Sequence, residues 1–387
     1  MLALEGAVSA GAYRANKVQV YGVDSRFWRQ QGLDDATDAS ISPALASELH
    51  RRENSLILVR VEKPTAIPKE SLHGRKDDVG RTIRVRVGQV RPPEQLGEFT
   101  LRLQQGPVRA VFMPLSRLQR DLAIPGQINT IVFDHPVSAA QVKRNVTLDD
   151  LGVRILSTTG DAGVPSIESA SAIVSDSLMA SIRKAAPEAH PVFSYLANSI
   201  RAGDRIMPYS LITAIDPALI PVGPNGIVLN EWAAHELRAK PGQTITIEYY
   251  LWMDGGSLAT RRAEFVLERI VPIAGLAADR HLAPEYPGIT EAKSLHDWDP
   301  PFPMNLKLIR PVDEQYWDRY RTTPKAFVSL EMGKKLWGTR YGSLTSVRVS
   351  PGDVRERFEA ALRQRLQPAD MDVAVVGLRA DSLSASE

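Results

Sequence analysis

Apolar and polar positions along the chain follow an order that occurs twice. The segment FMPLSRLQ (112–119) has a Phe, a Leu three residues later and then a polar run, and FVSLEMGK (327–334) repeats this order. Other segments pair in the same chain order: VYGVD (20–24) with ITAID (212–216), ISPALASEL (41–49) with LNEWAAHEL (229–237), SLILVRV (55–61) with QTITIEY (243–249), VGQVRP (87–92) with LERIVP (267–272), and GQINTIVF (126–133) with GSLTSVRV (342–349). Self-similarity in a fixed order indicates an internal repeat. The pattern therefore predicts two copies of one module.

Each copy begins with a predicted strand, followed by a short helix. The strands are rich in β-branched residues, and each helix is preceded by a residue that commonly caps a helix. Ser42 and Asn230 are the expected N-caps, and Pro43 stands at the first helical position of its copy. The strands are KVQVYGV (17–23) and SLITAI (210–215), and the helices are SPALASELHRR (42–52) and NEWAAHELRAK (230–240).

Two further strands per copy alternate apolar with charged or polar residues, which predicts sheets with one face in water. They are SLILVRV (55–61) and TIRVRVGQV (82–90) in the first copy, and TITIEYYLW (244–252) and AEFVLERIV (263–271) in the second. A strand-to-helix corner follows, in which we expect Phe112, Leu115, Phe327 and Leu330 to be buried. A last strand, 126–133 or 342–349, closes each copy. The predicted fold is α+β, with two related modules of mixed sheets and helices on one face.

The same pattern divides the chain into three parts. Residues 1–160 form the first module, 161–204 a connecting helix and linker, and 205–387 the second module, which carries an insertion at 274–320. The connecting helix is expected over 166–186 by composition. An amphipathic helix over 353–366 and a strand at DMDVAVVGL (370–378) are expected near the end of the chain.

Composition limits the classes of function. The chain has 387 residues, of which 43% are hydrophobic and 24% charged, and its net charge is +2. These values are ordinary for a globular protein, and they give no basic excess that would favour nucleic acid. The absence of cysteine excludes disulfides and metal sites built on thiolates. No apolar run approaches the roughly 18 residues that a membrane span requires.

Motifs for catalysis are weak. Glu231 and His235 are one helical turn apart and could share a metal, but an exposed helix surface is the simpler interpretation. The sequence SIRK (181–184) matches the S-x-x-K pattern of some acyl-enzymes without the motifs that accompany it. His296, with Asp297 and Asp299, is better explained by a structured loop. We therefore expect no catalytic residues, no bound cofactor and no metal.

One candidate interaction patch lies in the insertion. Aromatic side chains dominate recognition sites, and four Trp and Tyr residues cluster between residues 298 and 320. They are Trp298, Tyr316, Trp317 and Tyr320. Packing of the insertion onto its own module is the alternative explanation for the same residues.

Three long segments resemble one family of membrane transporters. They are NKVQVYGVDSRFW (16–28), FMPLSRLQRDLAIPGQINTIVF (112–133) and GIVLNEWAAHELRAKPGQTITIEYYLW (226–252). Together they resemble the extracytoplasmic domain, or periplasmic core, of MacB/FtsX-type ABC transporter permeases. The resemblance extends over about residues 17–376, and its motifs are structural rather than catalytic.

The resemblance implies a non-catalytic domain on the extracytoplasmic side of the membrane, periplasmic or extracellular, within a larger membrane protein. Such a domain contacts a cargo or partner and transmits motion from the membrane helices. Its implied partners are the membrane-embedded remainder of the permease, a separate ATP-binding subunit and a protein or lipid-like cargo, with no nucleic acid. The segments before Lys17 and after Val376 should then lie side by side. A free-standing soluble binding or adaptor protein is the alternative, and a hydrolase is a more distant one.

Overall fold

A computed structural model describes residues 1–30, 32–33, 38–65, 67, 80–101, 106–156, 165–253, 257–349, 355–371 and 373–377. These residues form two units. The first contains the described residues within 1–64, 80–141 and 375–377, and the second contains Thr65, Ile67 and the described residues within 142–374. The described end of the chain thus belongs to the same unit as its beginning.

Six strands of the first unit close into a barrel. Alternating residues of the fourth and fifth strands are buried, as their sequences predict. The buried set forms a core of Val, Ile and Leu side chains inside the barrel. The strands are β1 (Leu2–Ala10), β2 (Tyr13–Val23), β3 (Ala39–Ile41), β4 (Leu56–Glu62), β5 (Gly80–Val90) and β6 (Ala110–Pro114).

The second unit contains nine described strands, six of which close into a second ring. The ring runs β9–β10–β14–β11–β13–β12 and returns to β9, while β15, β8 and β7 extend from β9 as a further part of the sheet. The strands are β7 (Val153–Leu156), β8 (Ser166–Ser169), β9 (His190–Ala202), β10 (Arg205–Ile215), β11 (Gly226–Asn230), β12 (Thr244–Trp252), β13 (Leu258–Val271), β14 (Ala326–Ser329) and β15 (Ser346–Arg348).

The two rings have the same topology, which confirms the predicted duplication. The first ring runs β1–β2–β6–β3–β5–β4 and returns to β1. The parallel pairs are β2–β6 and β3–β5 in the first ring and β10–β14 and β11–β13 in the second, which are the same places in the order. The other four pairs of each ring are antiparallel. A register shift also recurs at one place, between β3 and β5 and between β11 and β13. Chance similarity does not reproduce order, direction and a bulge together.

The corner residues occupy equivalent places. Phe112 lies opposite Tyr21 on β2 and Ser40 on β3. Phe327 lies opposite Thr213 on β10 and Val228 on β11. Both phenyl rings are fully buried, as predicted. Of the corner leucines, Leu330 is also buried, whereas Leu115 is half-buried and packs against the first core.

In chain order, a helix follows the third and the sixth strand of each ring. The helices after the third strands are capped as predicted: Ser42 Oγ accepts from Leu45 N at 3.2 Å, and Asn230 Oδ1 accepts from Ala233 N at 2.8 Å. The helices are α1 (Ser25–Arg29), α2 (Pro43–Leu49), α3 (Leu115–Asp121), α4 (Ala139–Asn145), α5 (Asp176–Ala185), α6 (Glu231–Leu237), α7 (Pro311–Tyr320), α8 (Leu330–Trp337) and α9 (Arg355–Arg365). The predicted amphipathic face of α9 is confirmed by its buried Phe358, Leu362 and the following Leu366.

Three local predictions were wrong. The helix expected from residue 166 begins at Asp176, and β8 occupies 166–169. Residues 126–133 form no strand: Thr130 pairs with the backbone of Met1, but the next contact, with Ala3, is made by the Asn129 side chain instead of the backbone. The end of the chain has a 3₁₀ turn at Pro368–Met371 and no strand over 373–377, while Leu378 lies outside the described residues. The domain boundaries stay a prediction, although β9 lies within the expected linker.

Candidate functional site

The insertion at 274–320 is an ordered layer on the second barrel. Its apolar side chains pack with Leu196, Tyr209 and Leu211 of β9 and β10 into a separate aromatic-rich cluster. Helix α7 begins inside this layer, where the Asp313 carboxylate accepts from the backbone N–H of Arg310 at 2.9 Å. The cluster explains the high density of proline and aromatic residues in this part of the sequence.

The four aromatic residues of the predicted patch lie in or beside this cluster. Trp298, Tyr316 and Trp317 are 8%, 3% and 2% exposed, and Tyr320 is half-buried. Tyr316 Oη donates to the Thr323 carbonyl at 3.1 Å and accepts from Asn230 Nδ2 at 2.9 Å. Their packing corresponds to the alternative explanation, and their role as an interaction surface stays a prediction.

A buried lysine lies beneath these aromatic side chains. Lys325 directly precedes β14 and is 4% exposed. Its backbone is held on both sides, because its N–H donates to the Leu211 carbonyl at 2.9 Å and its carbonyl accepts from Asn230 N at 3.0 Å. The Nζ atom lies 4.9 Å from the centroid of the Trp232 ring and 4.8 Å from that of Tyr316. Contacts of this kind stabilise a desolvated cation.

The charge of Lys325 is only partly compensated. Burial lowers the pKa of Lys325 to about 8, and the Asp313 carboxylate opposes this shift. Asp313 is itself bound by the Arg310 guanidinium, with both N–H···O distances at 2.9 Å. Across the described part of the chain, Lys325 Nζ makes no hydrogen bond and no ion pair. The arrangement leaves a buried ammonium without an anionic partner.

A small cavity of about 20 Å³ adjoins the lysine. Trp298, Asp313, Trp317, Arg321 and Lys325 are among the residues that line it. Trp317 Nε1 and Arg321 Nη1 both donate to the Ala292 carbonyl, at 3.2 and 2.9 Å. Trp298 Nε1 is buried and has no acceptor among the residues that the structure describes. The unused Trp298 Nε1–H and the Lys325 ammonium belong to residues that line one cavity, which suits a ligand that accepts hydrogen bonds.

Sequence patterns missed Lys325, because a single lysine before a strand matches no motif. The duplication contains the signal that could have found it. Ser42 N donates to the Ala110 carbonyl at 3.0 Å, as Asn230 N does to that of Lys325, so Lys325 stands where the first barrel has Ala110. A charged residue aligned with a buried alanine indicates a special environment.

A second buried polar cluster lies where β8 pairs with β15. Burial raises the pKa of Glu168 to about 7, although the nearby Arg348 guanidinium acts in the opposite direction. Arg348 Nη2 lies 2.8 Å from the Asp279 carboxylate of the insertion. His281 Nε2 is buried and has no hydrogen-bond partner within the described part of the chain, and burial lowers the pKa of this imidazole. In the described ranges, no three His, Asp or Glu side chains are grouped to hold a metal ion.

No protein-family model matches the chain, and no curated protein matches its sequence. Several solved structures resemble the chain, among them the following two. The periplasmic region of MacB from Actinobacillus actinomycetemcomitans has 9% identity, covers 56% of this chain and 83% of its own, and has a TM-score of 0.29. A domain of a candidate permease protein from Porphyromonas gingivalis has 10% identity, coverage of 49% and 70%, and a TM-score of 0.25. Both likenesses concern the fold alone.

None of the helices in the described ranges has the length and apolarity needed to cross a bilayer.

Proposed function

We propose that the chain is the non-catalytic extracytoplasmic domain of an ABC transporter permease, which contacts a cargo or partner protein and transmits motion from membrane helices. The sequence resemblance supports this function, since its three segments fall on ring strands and on the helices that follow them. The observation that carries the proposal is that residues 375–377 belong to the same unit as residues 1–64. A domain inserted between two membrane helices needs both of its ends on one side.

The first strand is suited to transmit such motion. β1 is paired with β2 and with β4, so a displacement of its start acts directly on the ring. Rigid strands pass a displacement on, whereas a flexible linker would absorb it. The two ends of the unit then act as the connection between the membrane helices and the barrel.

Exposed apolar residues lie beside the start of β1. Asn129 Nδ2 donates to the Ala3 carbonyl at 2.8 Å, which fixes the segment around it next to the strand. Ile128, Ile131 and Phe133 of this segment are 46%, 64% and 47% exposed. Neighbouring apolar side chains of this kind suit a face that meets a membrane or a membrane-embedded partner.

The test uses the absence of cysteine from the chain. Leu306 is 41% exposed in the insertion, so Leu306→Cys provides one accessible thiol. Phe327→Cys, at a fully buried position, is the matched control and should react only after denaturation. We expect a membrane-impermeant maleimide to label Leu306→Cys in cells whose cytoplasmic membrane is intact, and the protein to sediment with membranes.

Two results would contradict the proposal. Labelling of Leu306→Cys only after lysis of the cytoplasmic membrane would exclude an extracytoplasmic location. Labelling in intact cells together with recovery of the protein in the soluble extracytoplasmic fraction would favour the free-standing adaptor.

A further inference from the structure

The second barrel buries a cation at a position where the first buries a methyl group. Ala110 and Lys325 both accept a backbone hydrogen bond at 3.0 Å from the N-cap residue of the neighbouring helix, Ser42 or Asn230. The two backbones are therefore in equivalent places. A lysine at such a position loses its hydration, and the protein must supply a replacement. The two aromatic rings supply only part of it.

Nearby carboxylates do not neutralise this cation. Arg310 binds Asp313 at 2.9 Å, and its Nη1 lies 3.5 Å from Glu236. Arg321 lines the same cavity as Lys325, and its Nη1 donates to an uncharged carbonyl. Both carboxylates that act on Lys325 are thus engaged by Arg310. Buried charges are ordinarily paired, so a bound counter-ion would complete the surroundings of the Lys325 ammonium.

The cavity has room for a small ligand. Its volume of about 20 Å³ exceeds the roughly 10–15 Å³ that one water molecule requires. Lys325 Nζ offers charge and N–H donors, and the unused Nε1–H of Trp298 offers one more. A compact singly charged acceptor fits these features, whereas a tetrahedral dianion is too large and carries too much charge.

We propose that the cavity beside Lys325 binds one small monoanion, either a halide or the carboxylate end of a small organic ligand, through the Lys325 ammonium. Arg321 adds positive charge to the lining, and Trp298 adds an N–H donor. The first barrel has no equivalent site, because Ala110 cannot supply the charge. This site is independent of the transporter proposal, and either can fail without the other.

The pH dependence of binding follows from the lysine. With its pKa lowered to about 8, Lys325 is largely an ammonium at pH 7 and becomes neutral as the pH rises. The other charged groups that face it are Asp313, Arg310, Glu236 and Arg321, and carboxylates and guanidinium groups ordinarily keep their charge between pH 7 and 9.5. Affinity for the anion should therefore fall at least several-fold between these two pH values.

The experiment measures the melting temperature at constant ionic strength while methanesulfonate, whose tetrahedral charged group is bulkier than a carboxylate, is replaced by chloride, formate or sulfate. We expect saturating chloride or formate to raise the melting temperature by about 2–4 °C, and sulfate to have no effect beyond that of methanesulfonate. A stronger effect of formate than of chloride would identify a carboxylate ligand as the occupant, and the reverse order a free halide.

Variants assign the effect to the cavity. Lys325→Met keeps the length of the side chain and removes the charge, so the anion-specific shift should disappear. Trp298→Phe keeps an aromatic ring and removes the unused donor, so the half-saturating anion concentration should rise several-fold. Trp317→Phe is the matched control, because its Nε1–H already donates to Ala292, and it should leave that concentration unchanged.

The proposal is overturned if chloride and formate leave the wild-type melting temperature unchanged, or if Lys325→Met retains the full shift. Should Lys325→Met fail to fold, the wild type at pH 9.5 provides the same comparison. A shift that is undiminished at that pH, together with an unchanged affinity in Trp298→Phe, would equally rule out the site.

Discussion

The first and second barrels close equivalent strands in the same order, but they differ in what covers the corner at Phe112 and Phe327. In the first, aromatic rings surround Phe112: the centroids of Tyr21 and Trp28 lie 5.3 and 5.6 Å from it. In the second, the side chains around Phe327 are mainly aliphatic, and the Tyr316 ring of the insertion lies over Lys325 instead. The order of strands is therefore the same in both units, whereas the side chains that pack over this corner differ.

The register shift that both units share, between β3 and β5 and between β11 and β13, limits the side chains that fit there. At this point the first barrel has Gly88 beside Asp38, and a Cβ on Gly88 would lie 2.8 Å from the Cβ of Asp38. The second barrel has Glu268 beside Gly226, and a Cβ on Gly226 would clash with the Glu268 carboxylate. Only one side chain fits between the two strands at this point. It is that of Asp38, next to β3, in the first unit and that of Glu268, on β13, in the second.

The largest expected effect tests whether the two corners are equivalent. Phe112→Ala and Phe327→Ala each remove a fully buried phenyl ring, so each should lower the free energy of unfolding by about 3–5 kcal/mol. Chemical denaturation measures this change. The control is Phe133→Ala, at a 47% exposed position, which should cost less than about 0.5 kcal/mol. A cost below about 1 kcal/mol for either corner variant would break the equivalence.

Glu168 distinguishes the second unit by its pH dependence. Its pKa in the folded protein, about 7, lies above the ordinary value of 4.5, so folding favours the protonated form. Its stabilising contribution is complete below pH 4.5 and is lost as the pH rises to about 7, a change on the order of 3 kcal/mol. Glu168→Gln should lack this loss when denaturation is compared at pH 4.5 and pH 7.5.

The control for this prediction is Glu188→Gln, at an exposed position of the same unit. It should follow the wild-type pH profile closely. Parallel profiles for the wild type and Glu168→Gln would mean that Glu168 is ionised in the folded protein across this range.

The two N-caps should differ in strength. Ser42 Oγ accepts from Leu45 N at 3.2 Å and from Ala110 N at 3.0 Å, so Ser42→Ala should cost about 1–2 kcal/mol. Asn230 caps α6 and also donates to Tyr316 Oη and to the Pro324 carbonyl. Asn230→Ala should therefore cost about 2–3 kcal/mol by denaturation. Equal costs would show that the bond to Tyr316 contributes little.

The smallest expected effect concerns the bulge. In Gly226→Ala the new methyl group displaces the Glu268 carboxylate from Gly223 N, to which it is bound at 2.9 Å, at a cost of about 1 kcal/mol. In the background of Glu268→Ala the same substitution should cost less than about 0.5 kcal/mol, because the clash is gone. Additive costs in this double-mutant cycle would contradict the exchange of side chains between the copies.

Local and repeated patterns in the sequence were sufficient to predict the strands and helices that the two units share. The N-caps and the buried corner residues were predictable, because each depends on neighbours close in sequence and occurs twice. The strand at 166–169 was missed because β15, from far along the chain, stabilises it. The strand expected over 126–133 is absent. Its counterpart in the second copy, β15, pairs with residues 190–192. These residues form the start of β9 and extend it beyond the part that corresponds to β1.

The candidate site was less accessible to prediction. The aromatic residues of the insertion were visible in the sequence, but their contact with Lys325 depends on how α7 packs on the second barrel. No local pattern encodes that packing. Only the alignment of Lys325 with Ala110 could have pointed to it, and that alignment requires the copies to be matched residue by residue.

The measurement that tests the proposed function most directly is a distance between the two ends. Glu5 and Val376 are both exposed, and the chain has no native cysteine, so Glu5→Cys/Val376→Cys can carry two spin labels. If both ends leave one side of the first unit, pulsed electron paramagnetic resonance should give a distance below about 25 Å, within the dimensions of a single unit. A distance above about 45 Å would put the ends at opposite poles and contradict the extracytoplasmic permease domain.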